Sequence, residues 1–343
     1  MPVFHVKHAP RFSAISRGRS GQTVRVEELT RDPERMRVSQ YSSGIAAAFD
    51  DSPIMRQLQD LSTRRRQLED VEIEFGGKTR VLTVANQKGG VGKTTSTVNI
   101  AAAIAALGGR VLVIDLDPQG NASTALGVPH TADVMSIYDV LINDAPLAEA
   151  VKVSPESDRL FCVPSTIHLA GAEIELVSQV AREKRLDTAL EEYLEGLEEP
   201  LDFVFIDCPP SLGLLTINAF SAAHEVFLPI QAEYYALEGL SQLLGNVKMI
   251  QKHLNPRLRV STILLTMFDA RTRLSHQVAD EVRQHFPKEV LNTVIPRSVR
   301  VSEAPSFGQT VISYDESSAG AIAYKEAAVE IVKRGAPRRK GQL

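Results

Sequence analysis

Residues 87–95 read QKGGVGKTT, a run of glycines, lysines and threonines whose spacing suits phosphate binding. Glycines let the backbone curl so that successive N–H groups point inward at phosphate oxygens. Lys93 has the length to reach the outer phosphates of a nucleotide, and the hydroxyl of Thr94 is placed to bind Mg²⁺. The segment therefore predicts a loop that holds a magnesium nucleotide. Its predicted contacts come from Lys88, Gly89, Gly90, Val91, Gly92, Lys93, Thr94 and Thr95.

Three aspartates form a second set of residues suited to this chemistry. Asp115, Asp117 and Asp207 each follow a short apolar run that reads as a buried strand. The carboxyl ends of parallel strands meet at one edge of a sheet, where ligands of open α/β sheets bind. Carboxylates at that edge orient the water shell that Mg²⁺ retains. The three acids are therefore expected beside the phosphate loop.

Strands and helices must alternate along the chain to bring these residues together. The predicted fold class is α/β, a doubly wound and mostly parallel sheet with helices on both faces, as in P-loop NTPases. Apolar runs predict strands over residues 80–85, 111–114, 160–163, 203–206, 226–230 and 260–266. Helices are predicted over 94–107, 182–197, 237–253, 274–286 and 319–332, with another from about residue 212.

Composition excludes several classes of protein. The 343 residues are 43% hydrophobic and 23% charged, enough apolar content for a sizeable core. No apolar run approaches the roughly 18 residues that span a bilayer, and no secretory signal is visible. Cys162 and Cys208 are the only cysteines, which argues against a disulfide framework and favours the cytoplasm. With a net charge of −4 the chain as a whole does not attract DNA, so any DNA binding must come from a local basic patch or from the way that copies combine in an oligomer.

The chain changes character near residue 78. Residues 1–78 are predicted to be a basic, largely flexible extension, with a possible short helix over 53–70. The triplet Arg64-Arg65-Arg66 within that helix reads either as a solvated face or as a contact with a partner or DNA. Residues 79–343 are predicted to be one nucleotide-binding domain.

The segment from Lys88 to Thr95 resembles the deviant Walker A motif of the ParA/MinD ATPases. The general phosphate loop has glycine where Gln87 stands here, and the extra Lys88 is what marks the deviant form. Residues 113–121 resemble the second acidic motif of that family, and 203–211 resemble its Walker B motif. Residues 265–272 and 295–305 are similar to the chromosomal ParA (Soj) branch. The resemblance covers roughly residues 79–334 and leaves the extension outside.

The resemblance implies roles for the residues that match. Lys88 would reach across an ATP-sandwiched dimer to the partner's phosphates, so Lys88, Lys93 and Asp117 form the predicted catalytic set. Asp207 would hold Mg²⁺ through water, together with Thr94, while Asp115 would support the metal and the phosphate loop. Asp117 would position the attacking water. Hydrolysis would then depend on dimerisation, giving a slow, partner-stimulated switch with ATP and Mg²⁺ as cofactors.

Adenine recognition is predicted from two further segments. Met267, Pro296 and Arg297 lie in stretches that resemble the base-binding loops of the family. A methionine in the core is the alternative for Met267.

Four arginines carry the DNA hypothesis. Arg271 and Arg273 precede a predicted helix, and Arg297 and Arg300 lie in a later loop. Family members would use such residues, doubled in a dimer, to hold DNA phosphates without reading bases. Solvated surface arginines are the alternative reading.

The resemblance predicts chromosome or plasmid partitioning as the function, with a ParB-type centromere-binding protein as partner and a nucleoid-associated location in the cytoplasm. Positioning of non-DNA cargo and a MinD-like division-site role remain as alternatives. The chain after Val332 is broken by Gly335 and Pro337, a poor match to the amphipathic membrane helix of a MinD-like protein. We therefore expect no membrane partner. The two cysteines do not supply the ligands of an iron–sulfur reductase.

The codons at the start of the gene could themselves form a DNA site for the ParB-type partner. Residues 4–8, FHVKH, can be encoded as TTT CAC GTG AAA CAC, in which the stretch from TTT to AAA is a perfect inverted repeat. The ParB binding site of the family looks like this repeat with flanking bases. We expect the start of the gene to contain such a site, and codons that break the palindrome would end the idea.

Overall fold

A computed structural model describes residues 53–233 and 236–335. The chain divides into two units with the boundary between Leu58 and Gln59. The helices are α1 Pro53–Glu69, α2 Lys93–Ala106, α3 Asn121–Ala125, α4 Ile137–Ile142, α5 Leu147–Ala150, α6 Leu169–Leu176, α7 Arg185–Glu195, α8 Leu214–Ala222, α9 Ala236–His253, α10 Arg273–His285, α11 Val299–Glu303, α12 Val311–Tyr314 and α13 Ala319–Gly335, with a 3₁₀ turn Ala304–Phe307. The strands are β1 Arg80–Val84, β2 Val111–Asp115, β3 Lys152–Val153, β4 Leu160–Val163, β5 Phe203–Asp207, β6 Glu225–Gln231, β7 Arg259–Phe268 and β8 Val290–Pro296.

The strands form one eight-stranded sheet in the order β3-β4-β2-β5-β1-β6-β7-β8. All neighbouring pairs are parallel except β3 and β4, which are antiparallel. Because β1 lies between β5 and β6, the chain changes winding direction at β1. Open α/β sheets bind ligands at such a switch point, outside the carboxyl ends of the strands.

The sheet is covered on both faces, as the apolar runs predicted. One core contains residues of α2 and α13, including Ile100 and Tyr324. The other contains residues of α4 and α6 to α10, including Leu169 and Phe220. Alternate residues of β1 enter the two cores, with Val81 in one and Leu82 in the other. The predicted fold class is confirmed.

Several elements differ from their predicted bounds. Strand β8 was not predicted, because polar Asn292 and Thr293 interrupt its apolar run. In the structure Glu330 of α13 accepts hydrogen bonds from the backbone N–H groups of both residues, which explains how polar residues are accommodated there. The short helices α3 to α6 and the antiparallel strand β3 were also not predicted, since each has eight residues or fewer and little periodicity.

Helix α1 lies close to its predicted position over residues 53–70. Within the second unit, Arg64 forms a two-pronged ion pair with Glu326 of α13, at 2.8 and 2.6 Å. Arg65 pairs with Glu69 and Glu316, whereas Arg66 is exposed. These contacts give two of the three arginines an intramolecular partner. The division into an extension of 1–78 and a domain of 79–343 stays a prediction.

Some sequence features lie outside the described residues. They are the basic stretch before residue 53, the segment 4–8 and the basic end after Gly335. Within residues 53–233 and 236–335, every helix is too short or too polar to span a bilayer.

A buried ion pair joins the amino ends of β1, β6 and β7. Glu225 is 3% exposed and receives Arg80 at 3.0 and 2.8 Å and Arg259 at 3.2 Å. Burial raises the pKa of Glu225, but the hydrogen bonds and charge of Arg80, with Arg259, outweigh it and hold the pKa below its usual value. We expect Glu225→Gln to lower the free energy of unfolding by about 3 kcal/mol, because Arg80 loses its anion.

Urea denaturation measures this loss, with the exposed Glu198→Gln as the matched control. The pKa of Glu225 is lower in the folded chain than its ordinary value. The stability that Glu225 contributes is therefore fully present when the pH is above the ordinary Glu pKa, and it is lost as the pH falls through the lowered pKa. The difference between Glu225→Gln and the unsubstituted chain should therefore shrink in acid. Equal stability of the two chains at neutral pH would contradict the assignment.

Candidate functional site

The phosphate loop lies between β1 and α2, as predicted. Gly90 and Gly92 have φ angles of 75° and 88°, in the left-handed region that favours glycine. The Thr266 hydroxyl at the end of β7 donates to the carbonyl oxygen of Val91 at 2.8 Å and fixes the middle of the loop. Helix α2 begins at Lys93 with no side-chain cap, so its first N–H groups stay available to an anion.

Lys93 is held inside the loop. Its side chain is buried, and its Nζ donates to the carbonyl oxygen of Lys88 at 3.4 Å. Burial lowers the pKa of Lys93, while the charge of Asp207 opposes the shift. The Lys93 ammonium group is buried and makes one long hydrogen bond, so its remaining N–H groups can donate to phosphate oxygens.

Asp207 joins the carboxyl end of β5 to the first turn of α2. Its Oδ2 accepts from the Thr94 hydroxyl at 2.7 Å, and its Oδ1 accepts from the Thr97 hydroxyl at 3.0 Å. Asp207 is fully buried, and burial, with the nearby charge of Asp115, raises its pKa to about 7. A buried carboxylate beside a threonine hydroxyl suits Mg²⁺, which binds through one or two carboxylates and keeps several waters.

Asp115 and Asp117 follow β2, the neighbour of β5. Asp115 lies opposite Asp207 in the sheet and is also fully buried, and burial raises its pKa to about 6. Its Oδ2 accepts from the backbone N–H and the hydroxyl of Ser123, at 2.9 and 2.7 Å, and its Oδ1 accepts from the N–H of Asp117. Asp115 therefore holds the loop that carries Asp117. The Asp117 Oδ1 accepts from the N–H of Gln119 at 3.0 Å.

The side chain of Lys88 lies at the surface. It is 50% exposed, and its Nζ lies 3.0 Å from Oε2 of Glu233, which follows the end of β6. The backbone N–H of Lys88 donates to Asn86 Oδ1 at 3.0 Å, and Asn86 in turn donates to the carbonyl of Pro229. The main chain at Lys88 is thus anchored to the sheet, while its ammonium group is on the surface.

The segments predicted to bind adenine lie side by side. Phe268 is opposite Pro296 in the β7–β8 pair, and the N–H of Arg297 donates to the carbonyl of Phe268 at 3.4 Å. Met267 has a φ of 50°, an uncommon backbone conformation for a residue other than glycine. It is half-buried and directly follows Thr266, which holds the phosphate loop. Met267 therefore lies next to the residue that holds the loop, and Pro296 and Arg297 lie beside Phe268, the residue after it.

The four arginines of the DNA hypothesis are all exposed but differ in their contacts. Arg271 makes two hydrogen bonds to Asp269, at 2.9 and 2.8 Å, and these lower the pKa of Asp269 to about 2. Arg300 pairs with two carboxylates, of Glu303 and Asp315. The other two, Arg273 and Arg297, make no side-chain hydrogen bond or ion pair within the described ranges.

Four residues that contact the candidate site were not predicted from sequence. Thr97 is the most predictable of them, because it lies three residues after Thr94 on the same face of α2. Ser123, Thr266 and Glu233 reach the site from loops and strand ends far along the chain, so no local spacing identifies them. Among the described residues no cluster of three or more His, Cys, Asp or Glu side chains could hold a metal ion by itself.

The chain is similar to known proteins in both sequence and structure. A family model described as an AAA domain matches residues 79–260. The chain is 50% identical over 256 residues to the sporulation initiation inhibitor protein Soj of Bacillus subtilis (strain 168), which covers 75% of this chain and 99% of Soj. It is 48% identical over 259 residues to the chromosome partitioning protein ParA of Myxococcus xanthus (strain DK1622), which covers 76% of this chain and 90% of that protein.

A solved structure has the same fold. It is the crystal structure of cobyrinic acid a,c-diamide synthase from Mycobacterium smegmatis with bound ADP and magnesium, at 38% sequence identity and a TM-score of 0.63. The superposition covers 74% of this chain and 94% of the other.

Proposed function

The chain belongs to the Soj/ParA family of chromosome-partitioning ATPases, and from this premise we propose that it runs an ATP-driven cycle on DNA. In this cycle ATP and Mg²⁺ bind at the phosphate loop and two ATP-bound copies form a sandwich dimer. The dimer binds nucleoid DNA without sequence preference. A ParB-type centromere-binding protein then stimulates hydrolysis, and release from DNA drives segregation of centromere-like sites.

The position of the two lysines of the loop is the observation that carries this proposal. Lys93 is buried and donates to the carbonyl of Lys88, whereas the Lys88 ammonium is half-exposed and, among the residues that the structure describes, pairs with Glu233 alone. An exposed ion pair of this kind is worth about 0–1 kcal/mol, so Lys88 can leave Glu233 at little cost. If a second copy lay over the loop, the triphosphate bound to that second copy would be a stronger anion for Lys88 than Glu233 is.

The acids have separate roles in the proposed hydrolysis. Thr94 and Asp207 would hold Mg²⁺, Asp207 through water, and the metal would neutralise charge on the phosphates. Asp115 would support this side of the site by fixing the loop, since two of its described hydrogen bonds are to Ser123 and a third is to the N–H of Asp117. Asp117, which is buried in that loop, would position the attacking water. Hydrolysis then depends on positioning and charge, with little covalent chemistry from the protein.

DNA binding is proposed to rest on the arginines beside the nucleotide site. Arg273 and Arg297 are the stronger candidates, because Arg271 and Arg300 would have to leave carboxylates first. A dimer doubles every such residue on one surface, which offsets the negative charge of the single chain. Contacts of this type bind phosphates and carry no sequence information.

DNA affinity in the ATP state tests the proposal. Binding to a random-sequence duplex is measured with ATP and Mg²⁺, across a series of salt concentrations. We expect binding to require ATP. The double variant Arg273→Ala with Arg297→Ala should bind DNA about tenfold more weakly or worse. The slope of log affinity against log salt concentration should become shallower by about one for each DNA phosphate that is no longer neutralised. Arg257→Ala, an exposed arginine at the amino end of β7, is the matched control.

The alternatives give other results in the same experiment. A positioner of non-DNA cargo, or a MinD-like division-site regulator, would dimerise with ATP but show no ATP-dependent affinity for DNA. DNA binding that is equal with ATP, with ADP and without nucleotide would contradict the proposed switch.

A further inference from the structure

The turn that carries Asp117 ends against the ring of His130. Residues 117–120 form this turn, in which the N–H of Gly120 donates to the carbonyl oxygen of Asp117 at 2.9 Å. Gly120 is buried and has a φ of 64°, and a Cβ atom placed on it would lie 2.9 Å from His130 Nδ1. That distance is closer than van der Waals contact allows, so the imidazole already fills the space beside Gly120. We call residues 117–120 the Asp117 turn.

A chain of hydrogen bonds also joins His130 to the Asp117 turn. The hydroxyl of Thr124, in α3, donates its only hydrogen to the carbonyl oxygen of Gly120 at 3.0 Å. The same hydroxyl oxygen lies 3.0 Å from His130 Nε2, so in that contact it must accept, and Nε2 must carry a hydrogen and donate. The ring therefore acts on Gly120 twice, directly through the contact at Nδ1 and indirectly through Thr124.

The start of the Asp117 turn is held separately, from inside the sheet. The N–H of Asp117 donates to Asp115 Oδ1 at 3.2 Å, and the hydroxyl of Ser123 donates to Asp115 Oδ2 at 2.7 Å. The N–H of Ser165, just after β4, donates to Ser123 Oγ at 3.1 Å. All four residues are buried, whereas His130 is half-buried. We therefore expect the start of the turn to keep its place when His130 is replaced.

The orientation of the Asp117 carboxylate depends on the far end of the turn. Its Oδ1 accepts from the N–H of Gln119 at 3.0 Å, the one hydrogen bond that this side chain makes within the described ranges. Gln119 directly precedes Gly120, so a shift of Gly120 would move the donor that orients the carboxylate. A displacement of about 1 Å in a positioning group can cost a hundredfold in rate. The contacts of His130 with Gly120 and Thr124 are therefore in a place to control the proposed hydrolysis.

We propose that His130 is a positioning residue for Asp117, which it serves by holding the end of the Asp117 turn through Gly120 and Thr124. The inference rests on the proposed function, in which Asp117 positions the attacking water. It adds a residue that lies outside the phosphate loop and the acidic motif of residues 113–121. Because the described hydrogen bond of the His130 side chain goes to Thr124, His130 should act on the hydrolysis step and not on nucleotide binding.

A double-substitution cycle in the full chain tests the proposal. Phosphate release is measured in a single turnover at saturating ATP and Mg²⁺ for His130→Ala, for Asp117→Ala and for the two combined. His130→Gln keeps a side-chain N–H that can reach Thr124, and Thr124→Val removes the hydroxyl. His253→Ala, which replaces an exposed histidine at the end of α9, is the matched control. Affinity for a slowly hydrolysed ATP analogue, mass by light scattering with ATP, and melting temperature are recorded for each variant.

We expect His130→Ala to lower the single-turnover rate about tenfold, because a hydrogen bond and a direct contact no longer hold the turn. Thr124→Val should lower the rate as well, while His130→Gln should stay within about threefold of the unsubstituted chain. Affinity for the analogue and the ATP-dependent mass should be unchanged in all three. In the Asp117→Ala chain, the addition of His130→Ala should cause no further loss, because its effect passes through Asp117. The control should hydrolyse ATP at the unsubstituted rate.

Two results would overturn the assignment of His130. One is an unchanged rate in both His130→Ala and Thr124→Val. The other is an equal fold loss from His130→Ala with Asp117 present and with Asp117 replaced, which would show that the ring acts independently of that acid. If His130→Ala unfolds, Thr124→Val takes its place in the cycle and the same criteria apply. A normal rate in Asp117→Ala would instead contradict the proposed function, on which the inference depends.

Discussion

Lys93→Ala should weaken ATP binding by about 10- to 100-fold and abolish ATP-dependent dimerisation. The ammonium group lies inside the loop with one hydrogen bond of 3.4 Å, so its main partner in the nucleotide complex would be phosphate. A hydrogen bond to a charged group contributes about 1.5–3 kcal/mol, which corresponds to that range of affinity. Isothermal titration with a slowly hydrolysed ATP analogue measures the first effect, and light scattering measures the second.

The nucleotide-free Lys93→Ala chain should remain folded. Burial lowers the pKa of Lys93, so the charged side chain is held at a cost when no phosphate is bound. Its melting temperature without nucleotide should therefore not fall, and Lys248→Ala, an exposed lysine on α9, should leave ATP binding unchanged. Undiminished ATP affinity in Lys93→Ala would contradict the claim that Lys93 binds the phosphates of ATP.

Asp117→Ala should keep ATP binding and the dimer but reduce turnover at least about a hundredfold. Asp117 makes no described contact with Thr94 or Thr97, which are held by Asp207. Its removal should therefore spare the phosphate and metal sites while the attacking water loses its positioning group. General base and positioning effects of this kind are worth about 10²- to 10⁴-fold in rate. Phosphate release under single-turnover conditions measures the loss.

Asp117→Asn separates positioning from loop structure. Its amide oxygen can still accept from the N–H of Gln119, so the turn after β2 should be kept. We expect slow turnover in this variant too, and normal turnover in Asp133→Ala, an exposed acid elsewhere on the chain. Hydrolysis at the unsubstituted rate in both Asp117 variants would refute the assignment of the water-positioning acid.

The central strands were predictable because they are buried on both faces. Residues 160–163 and 203–206 are continuous apolar runs, and the structure places β4 and β5 there. Strand β8 was missed because polar Asn292 and Thr293 interrupt its apolar run. Their backbone N–H groups donate to Glu330, a residue of another element that the local sequence does not reveal. Antiparallel β3 has two residues and carries no period that a sequence pattern can reveal.

The positions of the phosphate loop and of Asp207 were predictable, because the loop is a run of consecutive residues and Asp207 stands at the end of an apolar strand. The resemblance to the ParA/MinD family is confirmed, and so is the partitioning function of the family. The pairing of Lys88 with Glu233 could not be foreseen, since those residues meet only after β1 and β6 become neighbours. The individual roles of the phosphate-loop residues, the three aspartates, the adenine-binding residues and the arginines stay predictions.

Light scattering of the Asp117→Ala chain with ATP and Mg²⁺ tests the central claim most directly, with Lys88→Ala as the matched comparison. Turnover is blocked by the first substitution, so a sandwich dimer should accumulate and the mass should double. Lys88→Ala should still bind ATP, because Lys93 is intact, yet stay at the mass of one copy. A mass of one copy for Asp117→Ala at saturating ATP, or a dimer in Lys88→Ala, would contradict the claim that each copy lends a lysine to its neighbour's nucleotide.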